Sequence, residues 1–99
     1  MHDAGQHAED ALEHWLGAGL AWLARLQATG LACAARSLLD EGARWRAHGE
    51  LLGWTEVVQL TDMVLDPAAS PATRARAVLD LSAWLATASR LNDARQLLG

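Results

Sequence analysis

Leucine and tryptophan recur at steps of three and four along most of the chain, a spacing that suits an α-helix and leaves little room for anything else. Leu12, Trp15, Leu16, Leu20, Trp22, Leu23, Leu26, Leu31, Cys33 and Leu38 project onto one side at about 100° per residue. The apolar arc is broader than a two-stranded coiled-coil seam, so a single antiparallel neighbour leaves part of it uncovered. The phase weakens after Leu39, where Glu41 and Arg44 enter the arc with Gly42 between them, so the helix either breaks near Asp40-Glu41-Gly42 or continues as an exposed rod. Trp45 returns to the apolar side and favours continuation through this region. His48-Gly49 is then the next stop, with glycine taking the left-handed C′ conformation. No segment alternates with the two-residue period of a strand.

The only prolines, Pro67 and Pro71, divide the second half of the chain. Asp66-Pro67 closes a helix, because the residue before proline is pushed out of the α region. Ser70-Pro71 opens the next, with serine as N-cap and proline at the first helical position. Between Glu50 and Leu65, Leu51, Trp54, Val58, Thr61 and Leu65 form a stripe, and Glu56, Gln59 and Asp62 mark the polar side. Beyond Pro71, Val78, Leu81, Trp84, Leu85, Ala88 and Leu91 form another, with Arg76 and Asp80 placed to pair at i,i+4. Fraying near Asn92-Asp93 leaves Leu97 and Leu98 as a partly exposed apolar end. The pattern predicts one all-α domain over 1–99 with three amphipathic helices, at about 7–48, 50–65 and 71–97, the first longest. They pack as an antiparallel bundle or an open helical arrangement.

Composition sharpens the expectation of self-association. Hydrophobic residues make up 52% of the chain, which excludes a disordered acidic tail, but many are alanines that bury little surface. Leucine and five tryptophans must carry the burial, and a core so built gains from a second subunit. The chain lacks Phe, Tyr, Ile and Lys, and all eight basic residues are Arg. A GC-rich coding bias accounts for that pattern, pointing to a bacterial source, and it reduces the weight that the scarcity of β-branched residues carries against strands.

Charge and motifs exclude several functions. The formal net charge is −4 with no arginine cluster, so nucleic acid is not an expected partner. A single cysteine, Cys33, forms no internal disulfide, which fits a reducing compartment. The start Met1-His2-Asp3 lacks the basic and apolar regions of a signal peptide, and no stretch is apolar for the length of a membrane span. A cytoplasmic location is expected.

The candidate chemistry is sparse. His7, Asp10 and His14 share one helix face and offer imidazole and carboxylate to a divalent metal, but their spacing matches no established ligand pattern, and a solvated polar face explains them as well. Cys33 has no histidine at i±3 or i±4 and reads as a small buried residue. The glycines make no phosphate loop; Gly19 and Gly30 fall on the apolar face, as points of close helix approach or as tolerated breaks. No cofactor and no catalysis are expected. The tryptophans stand out: Trp15 and Trp22 lie seven apart, along one line of the first helix. Trp15, Leu16, Trp22, Leu23, Leu26, Trp45 and Trp54 form the expected interaction face, with core packing as the plainer reading of each tryptophan.

Three stretches, Trp22-Leu23-Ala24-Arg25-Leu26-Gln27, then Trp54-Thr55-Glu56-Val57-Val58-Gln59-Leu60, then a final amphipathic helix after a short break, carry a family likeness. In them the chain resembles the phasins, helical proteins that coat bacterial polyester storage granules. The resemblance implies amphipathic helices that assemble with one another and adsorb to a hydrophobic surface without catalysis. On this reading the partners are the chain itself, as a homodimer or higher oligomer, and a polyester surface. The alternative is a small dimeric adaptor, chaperone or regulatory subunit that packs the same face against one helical protein.

Overall fold

A computed structural model describes the backbone of residues 3–98 and the side chains of residues 10–98 other than residue 32. Among these residues the chain is all-α, but it has four α-helices where three were expected: α1 (Asp3–Thr29), α2 (Arg36–Leu52), α3 (Thr55–Leu65) and α4 (Pro71–Leu98). A short 3₁₀ turn, Leu31–Cys33, separates α1 from α2.

The extra helix arises because the expected first helix is broken, and the break is at Gly30. That residue has φ 88° and ψ 141°, a combination that only glycine adopts without strain. Its N–H closes the last bond of α1 on Leu26 O at 2.7 Å. Ala34 and Ala35 then run extended, against alanine's helical preference. Packing outweighs local propensity here. A helix continuous over 7–48 would be a rod of roughly 60 Å with its tryptophans in water. The corner at Gly30 folds α2 back along α1 and buries three of them.

The helix continues through Gly42, as Trp45 suggested, but also through the expected stop at Gly49; both glycines lie inside α2 and are buried. The true terminator is Gly53, in the left-handed conformation at φ 82° and ψ 18°. Trp54 N–H donates to Gly49 O at 3.0 Å and Gly53 N–H to Glu50 O at 3.1 Å, the paired bonds of a Schellman motif.

The proline turn forms as the sequence predicts. Asp66 is extended, and its Oδ1 accepts from Ala68 N–H at 2.9 Å. Ser70 Oγ accepts from Thr73 N–H at 3.1 Å, capping α4. Across the turn, Arg74 Nε donates to Val64 O at 2.9 Å, satisfying a carbonyl in the last turn of α3.

Each helix packs against two others, α1 and α3 both lying between α2 and α4, and every neighbouring pair is antiparallel. One buried cluster draws on all four: Trp15, Leu16, Trp22, Leu23 and Leu26 from α1, Trp45 from α2, Val57 and Val64 from α3, and Ala77, Val78, Leu81 and Leu85 from α4. Thr61 is also fully buried, its Oγ donating to Val57 O at 2.7 Å. The helices differ in length, with 27 and 28 residues in α1 and α4 but 17 and 11 in α2 and α3. The two long helices therefore run on together past the ends of the short ones, which accounts for the elongated 48 × 22 × 21 Å envelope.

Candidate interaction surface

The residues of the expected interaction face are turned inward, in keeping with core packing as the plainer reading of the tryptophans. Trp15, Leu16, Trp22, Leu23, Leu26 and Trp45 are all buried within the single chain, and Trp54 is half-buried. The broad apolar arc of α1 is covered by the chain's own α2 and α4, because the corner at Gly30 supplies a neighbour that an unbroken first helix would lack. The surplus apolar surface of α1, which would otherwise favour a second subunit, is thus absorbed within the chain.

The seam between α1 and α2 is built from tryptophans set on glycines. Trp15 packs on Gly49, Trp45 on Gly19 and Trp22 on Gly42. Read along the two helices, Trp15-Gly19-Trp22 runs opposite Gly42-Trp45-Gly49, so each large ring meets a position with no side chain. A Cβ built at Gly49 would stand 2.8 Å from the Trp15 ring, and one at Gly19 or Gly42 would clash harder. Gly19 is therefore the point of close approach that the sequence suggested. The indole N–H groups also find partners, Trp22 Nε1 donating to Leu38 O at 2.8 Å. Arg25 and Glu41 close the outside of the seam at 2.7 Å, which accommodates the carboxylate that disturbed the helical phase.

With the seam consumed internally, the exposed apolar surface lies elsewhere. Leu51 and Leu52, at the end of α2, and Leu91, Leu97 and Leu98, in the last turns of α4, lie toward one end of the bundle. Leu97 and Leu98 are 89% and 90% exposed, more fully than the partly exposed end that was expected, and α4 continues through Asn92-Asp93 to Leu98. Beside this end is a groove of about 720 Å³ between α4, the start of α3 and Leu12 of α1. Trp54 and Trp84 meet edge to face at its floor, ring centres 4.8 Å apart and planes at 67°. Thr87, Ala88 and Leu91 continue it along α4, with Asp80 and Arg95 at its two ends. Asn92 lies in its wall, buried, its Nδ2 without a hydrogen-bond partner among the described residues.

The groove exists because α3 is short. Thr55, its first residue, is beside Trp54, which in turn meets Trp84, so α3 supports only the first half of α4. Trp84, Ala88 and Leu91 were legible as an apolar stripe. Their partial exposure was not, because it depends on where a neighbouring helix starts.

The other candidates are dispersed. Asp10 and His14 are exposed on α1, and the side chain of His7 lies outside the described residues. Among the described residues no three histidines, cysteines or acids converge as a metal site. Cys33, read as buried, is exposed in the 3₁₀ turn, because the chain leaves the helical phase at Gly30 before reaching it. Arg46 bridges Asp62 of α3, at 2.8 Å, and Glu50 of its own helix. The hydrogen bond to Asp62 raises its pKa further, so it is a fixed positive charge clamping α2 to α3. Among the described residues no helix is long and apolar enough to cross a membrane. No protein-family model, curated protein or solved structure matches the chain.

Proposed function

We propose that this chain is a non-catalytic helical interaction protein that self-associates and seats an apolar end on a hydrophobic surface, as the phasin resemblance implies. The observation that supports this reading is the set of exposed leucines toward one end of a bundle whose Trp15, Trp22 and Trp45 are engaged internally. Full burial of a leucine side chain is worth about 1.5–3 kcal/mol, so even partial seating of Leu51, Leu97 and Leu98 gives useful adsorption without unfolding the core. The contact is thus made by leucines, in place of the Trp15–Trp22 line.

Co-sedimentation with polyhydroxybutyrate particles tests this, with polystyrene beads and an unrelated helical protein as controls. Selective binding with little change in tryptophan emission is expected, because Trp15, Trp22 and Trp45 stay in the core. Replacing Leu51, Leu97 and Leu98 together by serine abolishes it. Absence of selective binding overturns the coat reading.

The groove favours a second reading, that of an adaptor for one protein partner. It is concave and bounded by a charge of each sign, features that suit a shaped partner better than a uniform apolar phase.

A further inference from the structure

We propose that the groove along α4 is the seat of a second copy of this chain, docked antiparallel about a two-fold axis passing between Thr87 and Ala88. The inference rests on the reading that the chain self-associates and names the surface that does it.

The face is self-complementary. Counted outward from the Thr87–Ala88 bond, Trp84 and Leu91 are equidistant, and so are Asp80 and Arg95. These residues recur at steps of three and four, so they form one stripe along the helix. In an antiparallel pair each Trp84 meets the partner's Leu91, and each Asp80 meets the partner's Arg95. Each Thr87 meets the partner's Ala88 across the axis, where small side chains let the backbones approach.

Charge selects both the occupant and its direction. A parallel pair sets Asp80 on Asp80 and Arg95 on Arg95, and like charges held together oppose association. An apolar surface in the groove would offer neither charge a new partner. A second copy run antiparallel satisfies both at once, twice over by symmetry, as an isologous interface requires. The pair of Asp80 with Arg76 on its own helix, at 3.3 Å, is exposed and weakly held, and so yields to the new partner. The axis falls just past the start of α3, at the part of α4 that the chain's own helices leave bare.

Sedimentation equilibrium of the full chain across a wide concentration range tests the proposal, with circular dichroism to confirm that each variant is folded. A dimer is expected. Asp80→Arg and Arg95→Asp each weaken it about tenfold, since each reversal turns two attractions into two repulsions. The double variant D80R/R95D recovers the original constant. In a Cys33→Ser background, Ala88→Cys cross-links into dimers on oxidation, while Ala47→Cys on the exposed face of α2 does not. A monomeric mass at every concentration overturns the proposal. So does a dimer indifferent to the single reversals, or one not recovered by the double variant. A monomer that still coats polyester particles removes this interface alone; a dimer that responds as described but ignores the particles removes the coat reading alone.

Discussion

Trp15 and Trp45 hold each other by a reciprocal pair of hydrogen bonds. Trp15 Nε1 donates to Trp45 O at 3.1 Å, and Trp45 Nε1 donates to Trp15 O at 2.8 Å. Their rings stack with centres 4.4 Å apart and planes within 4°. Each indole thus satisfies its N–H on the backbone of the opposing helix while its ring fills the space above a glycine, Gly49 for one and Gly19 for the other. The same contacts set spacing, register and polar satisfaction between α1 and α2.

Replacing either residue by phenylalanine removes one of these bonds and part of the stacked area. Each single variant is expected to lose about 1–3 kcal/mol, combining a buried hydrogen bond with lost contact. A double-mutant cycle of Trp15→Phe and Trp45→Phe, followed by urea unfolding, is expected to give a coupling of about 0.5–1.5 kcal/mol. Strict additivity would contradict the reciprocal arrangement.

Two glycines in α-helices respond oppositely to alanine. Gly17 has open space where a Cβ would go, so Gly17→Ala gains helix propensity and stabilises by about 0.5–1 kcal/mol. Gly42→Ala makes the same propensity gain but drives a methyl into the Trp22 ring, with a net cost of about 1–3 kcal/mol. Thermal melts of the two variants separate the effects by sign.

Gly30→Ala tests the corner by another route. Nothing lies within 4 Å of a Cβ there, so any loss comes from the backbone conformation alone. The expected cost is about 1–3 kcal/mol, read by denaturant midpoint. A neutral result would show that the corner tolerates another conformation.

The Arg46 bridge is expected to contribute little. It is solvent-facing on both carboxylates, so Arg46→Ala lowers the denaturation midpoint only slightly, and the difference shrinks in high salt. A large loss unaffected by salt would give Arg46 a packing role.

Cys33 is expected to react with a thiol reagent in the native state without a preceding unfolding step, because its side chain is exposed. Labelling that begins only in denaturant would place the 3₁₀ turn against the core.

Particular elements show how far the sequence could be read. The turn from Asp66 to Pro71 was legible in full, because proline excludes local conformations whatever surrounds it. The all-α character and the apolar stripes were legible for a similar reason, since spacing in sequence becomes direction on a helix. The corner was misplaced because Gly19, Gly30, Gly42, Gly49 and Gly53 look alike in sequence. Gly30 and Gly53 take positive φ, whereas Gly19, Gly42 and Gly49 stay helical beneath a tryptophan. The interaction face was misassigned for a related reason: periodicity identifies an apolar face but does not say which other surface covers it.

The sequence by itself determined that this chain is helical, where its proline turn falls, and which side of each helix is apolar, because these follow from short-range sterics and from the 3.6-residue period. Tertiary structure alone decided that the first apolar arc folds back at Gly30, that Trp15, Trp22 and Trp45 are consumed against glycines, and that a groove stays open along α4. Those outcomes depend on matching surfaces thirty residues apart, as Trp15 and Trp45 are, and on one helix stopping before its neighbour. No local spacing encodes where that match occurs.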